Sequence, residues 1–465
     1  MFFQHVYDKS LAQASYVIGC QAGGIAAVID PKRDVDTYIE IAKANNMKIT
    51  HILETHIHAD FLSGSRELAA LTGAKLYLSD EGDENWKYEF PHEKIKGGDV
   101  VKMGNLTFEV IHTPGHTPES VSFLLTDKPA SQEPVMLFTG DFVFVGDVGR
   151  PDLLEQAAGI KGTQEIGAEQ MFDSLTDFAK LGDFIQVWPG HGAGSACGKA
   201  LGAVPSTTVG YEKIRNWALQ LLNDKPAFTK ELLADQPEPP KYFAMMKKLN
   251  KVDRKLLTEV PQVPQMSDAD FLADHAAGIK VIDTRPWKAF ADAHLAGTYN
   301  ITHNNSFATF MGWYLTYEED YILVAEAGEV EELMRKAMRI GLDNFKGYIT
   351  PAQLVNLKDI ELESYQPVGK EVVEEAIASG EKQIIDVRGA AEFKKGQIEG
   401  AENIHLGKLP DNLDKIATDK PVIIHCQSGA RSAIAYSVLR AHGFTNIENY
   451  SGGFAEWSTL EHAKA

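Results

Sequence analysis

The chain has 465 residues, 44% of them apolar and 24% charged, with 45 basic against 65 acidic side chains and a net charge of −20. This length exceeds what one hydrophobic core serves and predicts about three domains of ~150 residues each. The acidic balance excludes nucleic acid and an anionic membrane surface as partners by bulk electrostatics, so an anionic ligand must find local positive charge.

Three cysteines, one necessarily unpaired, make no disulfide framework and point to a reducing cytoplasm where thiols serve chemistry. The opening MFFQHVYDKS lacks the charged and apolar regions of a signal peptide. Ser10–Ile29 carries no formal charge and is long enough to span a membrane. Its Ser, Gln and Gly residues, however, predict two short strands around a Gly-rich turn in a soluble protein.

Strands are predicted at Tyr16–Gly19, Ala26–Ile29, Ile49–Leu53, Leu106–Ile111, Val135–Phe138 and Phe184–Trp188. A helical stripe of Met171, Phe172, Leu175 and Phe178 precedes the last. Possible metal ligands follow several strand ends: His56, His58 and Asp60 in THIHAD, then His112, Asp141 and His191. Loops carried on a rigid sheet suit an open reactive site. The proline-punctuated stretch 236–265 predicts a linker after a first domain at 1–235.

An internal repeat follows. Val281-Ile282-Asp283-Thr284-Arg285 is answered by Ile384-Ile385-Asp386-Val387-Arg388, and His294–Ile301 by Gln397–Ile404. Two tandem α/β modules are expected, at 266–357 and 366–465.

The ordered set of histidines and aspartates resembles the metallo-β-lactamase superfamily, over roughly 1–235. The resemblance implies an αββα sandwich. In its binuclear hydrolases, such as glyoxalase II, the residue after the motif aspartate is a histidine for a second metal; here it is Phe61, which cannot ligate. That points to one metal. Gly115–Ser120 and Thr139–Asp152 resemble the persulfide dioxygenase branch, which implies one Fe(II) per chain held by His56, His112 and Asp141. Two imidazoles and a carboxylate leave coordination positions open, and iron can pass electrons as zinc cannot. His58, Asp60 and His191 would then orient ligands or waters. Arg150, in GRPD, could hold an anionic substrate group, or make a structural ion pair.

Downstream, Pro421–Cys426 reads as a strand, followed by a Gly-containing loop and a helix to about Ala441. A cysteine there faces loop amides and a helix N-terminus, both of which favour the thiolate. Cys426 can accept a sulfane sulfur as a persulfide and pass it to a nucleophile. The amides of Gln427, Ser428, Gly429 and Ala430 and the Arg431 guanidinium would hold the anion. This segment resembles the rhodanese family, with Gln397 where many members carry histidine. A Cdc25-like phosphatase shares that fold but needs a longer loop between Cys and Arg. In the first repeat Ala325 and Val330 fall over Cys426 and Arg431, so that module is expected to be an inactive spacer or dimer interface.

Cys197 is expected near the mouth of the metal site, where a sulfur relay is conceivable, and Cys20 in the core. The whole order resembles bacterial sulfide-detoxification fusions. That resemblance implies oxidation of a low-molecular-weight thiol persulfide by O2 to sulfite, then sulfur transfer to give thiosulfate, in a homo-oligomer (dimer or tetramer). The rivals are a zinc thioester hydrolase of the glyoxalase II type fused to a sulfurtransferase, and a non-catalytic sulfur carrier or sensor.

Overall fold

A computed structural model describes residues 1–153, 155, 162–199, 201–358 and 360–464. They form two units: Met1–Val260 with Met338–Gly341, and Pro261–Ala337 with Leu342–Ala465. Among the described residues no helix is long and apolar enough to cross a membrane.

The first unit is built on two six-stranded sheets. One runs in sequence order through β1 (Phe2–Asp8), β2 (Gln13–Cys20), β3 (Ile25–Ile29), β4 (Lys48–Leu53), β5 (Lys75–Ser79) and β6 (Glu93–Ile95). The other orders β7 (Val100–Met103), β8 (Leu106–His112), β9 (Val121–Asp127), β10 (Met136–Gly140), β11 (Gln186–Pro189) and β12 (Thr207–Thr208) the same way. Strand alternation decides which residue faces which layer. Tyr16, Ile18 and Cys20 of β2 point between the sheets, where they meet Phe108, Phe123 and Phe138. Val17, between them, points outward with Val28 and Ile52 onto Tyr38 and Leu68 of helices α1 (Asp36–Ala44) and α2 (Ser65–Thr72). The outer face of the second sheet offers Leu137 and Val187 to Met171, Leu175 and Phe178 of α3 (Thr163–Phe178). Each such side chain contributes about 1.5–3 kcal/mol by leaving water. The layers are therefore helix, sheet, sheet, helix, as expected.

The predicted linker 236–265 is corrected. Most of it folds into the first unit as α4 (Tyr242–Lys251), which buries Tyr242, Phe243 and Met246. Its apolar positions recur at helical spacing, so the stretch has a packed face, which a linker lacks. Beyond it Arg254 grips the buried Glu67, and the break falls within the EVPQVPQ segment, after Val260. Arg339, in the unit's second stretch, pairs with Asp34 at 2.8 Å and 2.5 Å.

The second unit holds two parallel four-stranded sheets of identical plan. The first orders β15 (Tyr299–Asn300), β13 (Lys280–Asp283), β16 (Tyr321–Val324) and β17 (Phe345–Ile349), with β14 (His294–Leu295) paired to β18 (Leu362–Glu363) beside it. The second orders β20 (Ala401–Asn403), β19 (Gln383–Asp386), β21 (Val422–His425) and β22 (Ile447–Tyr450). Asp283 pairs with Val324 as Asp386 pairs with His425. The next residues, Ala325 and Cys426, are therefore topological equivalents.

The first module is no separate spacer. Helix α5 (Ala430–Ala441), which starts at the Cys426 loop, lies against β15, and the Ser437 Oγ accepts the Asn300 amide at 2.9 Å. The Tyr314 hydroxyl donates to Leu406 O at 2.7 Å, and Arg440 pairs with Glu363 at 2.7 Å.

Candidate metal centre and cysteine loop

The ligand-bearing loops leave one end of the two sheets of the first unit, after β4, β8, β10 and β11. They bring together His56 Nε2, His116 Nε2 and a carboxylate oxygen of Asp141, all within 4.8 Å of one another and all buried. His116 Nε2 lies 3.6 Å and His56 Nε2 3.9 Å from Asp141 Oδ2. Each ring is held by its other nitrogen. His116 Nδ1 donates to Arg150 O at 2.8 Å, and His56 Nδ1 meets Thr55 Oγ1 at 2.9 Å, whose own proton goes to Asp30. That assignment leaves both Nε2 atoms as lone pairs aimed inward. Burial and the neighbouring histidines His58, His116 and His191 hold His56 well below its ordinary pKa. Burial also lowers His116.

The residues fit a metal ion. His56 Nε2 and both Asp141 oxygens are buried and make no hydrogen bond. Unpaired buried polar atoms cost about 1–3 kcal/mol each, a cost an ion removes. Close packing holds the carboxylate in place, since a Cβ on Gly190 would stand 2.7 Å from Asp141 Oδ1. A second group, Asp60, His191 and Cys197, adjoins the first: His191 Nε2 lies 3.4 Å from Asp141 Oδ1 and 3.2 Å from Asp60 Oδ2. His58 Nε2 faces Glu54 at 2.9 Å and Asp30 at 3.3 Å, while its Nδ1 is buried without a hydrogen-bond partner and its ring lies 4.2 Å from that of His56. Phe61 is fully buried against the His58 ring, with centroids 4.3 Å apart.

Three sequence expectations change. His112 is not in the triad; its place is taken by His116. His112 is the last residue of β8, where the pleat directs it to the Pro118 carbonyl at 2.9 Å. Both histidines line a cavity of about 370 Å³, with Trp86, Ile166 and Gln170 among its other walls. Of these two, it is His116, in the loop beyond Gly115 at φ +149°, that is carried back to Asp141. Arg150 does not face substrate. Its guanidinium is buried, bonded twice to Asp152 at 2.7 Å and 2.6 Å and to the carbonyls of Ala196 and Pro237. Cys197 is buried, not at a mouth, and burial with Asp141 and Asp60 pushes its thiol up to about 12. A thiol held there is protonated near neutral pH.

Asn250 and Glu119 have no signature in the sequence and reach the ligand loop only through the fold. Asn250, on α4, donates from Nδ2 to the carbonyls of His58 and Phe61, both at 2.8 Å, and accepts the Ser63 amide at 2.9 Å.

In the second unit, Cys426 follows β21 directly and is buried. Its Sγ accepts the Gly429 amide at 3.1 Å. Gly429 sits at φ +92°, where a Cβ would also stand 2.6 Å from Ser451 O. The Cys426 and Gln427 carbonyls accept the Phe454 and Ala455 amides at 2.8 Å and 2.9 Å, which fixes the loop from outside. Gln427 Oε1 accepts from Arg388 at 3.2 Å, and Arg388 is itself locked to Asp386. Arg431 is half-buried and clasped by Glu392 at 2.7 Å and 2.8 Å. Sequence reasoning missed Glu392, although its capping position at the start of the short helix Ala390–Lys394 is visible beside IIDVR. In the first module the equivalent cavity, about 530 Å³, is lined by His303, Glu326 and Glu329, with Ala325 at the cysteine position.

Comparison with known proteins agrees with this division. The signature of the Metallo-beta-lactamase superfamily matches residues 10–227, and that of the Rhodanese-like domain matches residues 370–460. A crystal structure described as a metallo-beta-lactamase from Staphylococcus aureus subsp. aureus COL is 45% identical. It covers 75% of this chain and 99% of its own, at a TM-score of 0.70. A hydroxyacylglutathione hydrolase of Francisella tularensis subsp. novicida is 32% identical over 187 residues, 40% of this chain and 64% of the hydrolase. The chain thus spans less than two thirds of that relative. The uncharacterized protein YqhL of Bacillus subtilis (strain 168) is 43% identical over 101 residues, 21% of this chain and 80% of its own.

Proposed function

Because the chain belongs to the metallo-β-lactamase superfamily and carries a rhodanese-like domain, we propose that it is a persulfide dioxygenase joined to a sulfurtransferase. The observation that carries this reading is the buried donor set His56, His116 and Asp141, with Phe61 filling the place of a further histidine. Two imidazoles and one carboxylate with open positions are the donor type of non-haem iron oxygenases. Fe(II) held there would supply the electron transfer that lets O2 react with a persulfide.

The chain's own residues do the rest. The cavity of about 370 Å³ beside His116 admits the thiol portion, between Trp86 and Ile166. His56 and His116 stay neutral, oriented by Thr55 and by Arg150 O. His191 lies between Asp60 and Asp141; burial opposes its charging, but the two carboxylates raise its pKa well above the ordinary value, so it can hold a proton at Nε2.

At the second site the Cys426 thiolate attacks the outer sulfur of a second persulfide. An S–S bond forms at Cys426 and the carrier leaves as thiolate. Sulfite then attacks that outer sulfur, giving thiosulfate and returning the thiolate. The Gly429 amide steadies the sulfur throughout. Joining the two activities in one chain raises the effective concentration of sulfite.

A two-metal thioester hydrolase is the second reading, favoured by Asp60 and His191 beside Asp141 and by the likeness to hydroxyacylglutathione hydrolases. Metal analysis after anaerobic purification, followed by oxygen uptake with glutathione, coenzyme A and bacillithiol persulfides, separates the two. About one iron per chain and persulfide-dependent oxygen uptake are expected. Stoichiometric zinc with thioesterase activity would overturn the proposal.

A further inference from the structure

Glu119 is fully buried in the loop between β8 and β9, three residues beyond His116. Nothing in the chemistry above uses it. Its Oε1 accepts the amide of Ile57 at 2.8 Å, and Ile57 is the residue between His56 and His58. Its Oε2 has no hydrogen-bond partner. One further bond joins the same two loops, from the Val121 amide to Thr55 O at 2.8 Å. The His116 loop is also braced within itself, by Thr113 N to Ser120 O at 2.9 Å and by the Thr117 and Ser120 hydroxyls at 2.6 Å.

We infer that Glu119 is a positioning residue that fixes the spacing between the His116 loop and the His56 loop, and so presets the metal-binding donors. The inference rests on the metal reading of the triad and is independent of the reaction. A buried carboxylate is expensive to keep, because it loses its hydration. Here burial pushes Glu119 up to about 7, while the Ile57 amide, then its own amide, the Thr117 hydroxyl and last Lys247 favour its charged form. Lys247 in turn lies 3.7 Å from the centroid of Trp86, which walls the cavity beside His116. Glu119 therefore stands between the cavity wall and the ligand loop, joined to the loop by one bond of good geometry. A side chain at this depth that bonds the amide between two motif histidines acts on their placement first.

The test separates the bond from the charge, with Co2+ as a spectroscopic probe in the full chain. Glu119→Gln keeps an acceptor for Ile57 and loses the charge; Glu119→Asp keeps the charge and is too short for the bond. Glu119→Asp and Glu119→Ala are expected to weaken Co2+ binding by about 10- to 100-fold, the range that groups orienting metal ligands command, and to alter the Co2+ absorption bands. Glu119→Gln is expected to restore both. The inference is overturned if Glu119→Asp matches the wild type, or if Glu119→Gln is as impaired as Glu119→Asp. A wild-type chain that binds no Co2+ overturns the metal reading and this inference with it. Wild-type binding with an unaffected Glu119→Asp overturns the inference alone.

Discussion

Arg150 and His116 meet main chain to ring: the carbonyl oxygen of Arg150 accepts from His116 Nδ1 at 2.8 Å, while the Arg150 guanidinium is bound to Asp152. An arginine whose motif suggests substrate binding instead orients a candidate metal donor through its backbone. Arg150→Ala strips Asp152 of its partner in a buried setting, which costs about 3–5 kcal/mol. A markedly lower thermal midpoint is expected. A raised KM for persulfide at an unchanged midpoint would return Arg150 to a substrate role.

The two histidines of HTPGHTPES are expected to part company on substitution. His116→Ala removes a donor of the triad and should leave less than about a tenth of the wild-type metal, beyond the lower bound for losing an outer orienting group. His112→Ala removes a cavity wall and the bond to Pro118 O but no donor of the triad, and should retain metal while changing the KM for persulfide. Metal content by mass spectrometry, with KM from oxygen uptake, checks both. Full metal in His116→Ala would refute the assignment.

Phe61→His restores the histidine that follows the motif aspartate in the binuclear hydrolases, on the loop that carries Asp60. Reconstitution with excess Co2+ is expected to raise the bound metal from about one to about two per chain, since coordination there then has enough ligands to compete with water. Uptake that stays at one equivalent would show that the buried setting, not the missing donor, limits the site.

Cys426→Ser is expected to leave persulfide-dependent oxygen uptake intact and to shift the product from thiosulfate to sulfite. Ala325→Cys should not create a second transfer site, because Glu326 and Glu329 line that cavity and Val330 stands where an arginine would be needed. Anion chromatography of the products tests both variants.

Acid should unfold the first unit in a defined window. Burial opposes ionisation of Asp34, but Arg339 and Lys32 outweigh it; burial opposes Glu67 too, and Arg254 with Arg33 outweighs it. Both carboxylates are thus held below their ordinary range. Their contribution is fully present above the unfolded-state values, about 4, and is lost as pH falls through the lower folded ones. Arg254→Leu leaves Glu67 with Arg33 alone, so unfolding should begin at higher pH by near-ultraviolet circular dichroism. An unchanged curve would refute this.

Much of this was legible from periodicity and motif. Six of the first unit's twelve strands follow from the apolar pattern and the repeat of IIDVR-like segments is written in the sequence, whereas the αββα layering came from the family resemblance. That Phe61 cannot donate was legible too, but the number of metals was not, since Asp60, His191 and Cys197 still gather beside the triad. His116 was missed because choosing between it and His112 requires knowing that β8 ends at His112, a boundary set by pairing with Val121. The role of α4 was hidden for another reason. Prolines at 237, 239 and 240 suggest a linker, whereas Asn250 bonds to residues some 190 positions earlier in the chain, a relation with no local pattern. Glu392 and Glu119 likewise depend on loops that meet only after folding.

The bond from Asn300 to Ser437 bears on how a barren duplicate persists. A module that lacks the nucleophile yet supports the helix of its sister stays under selection through the sister's fold. Substitutions should accordingly be tolerated unevenly across it. The edge at Tyr299 and Asn300 should resist substitution, and trimming the chain to its last module would leave one flank of helix α5 uncovered.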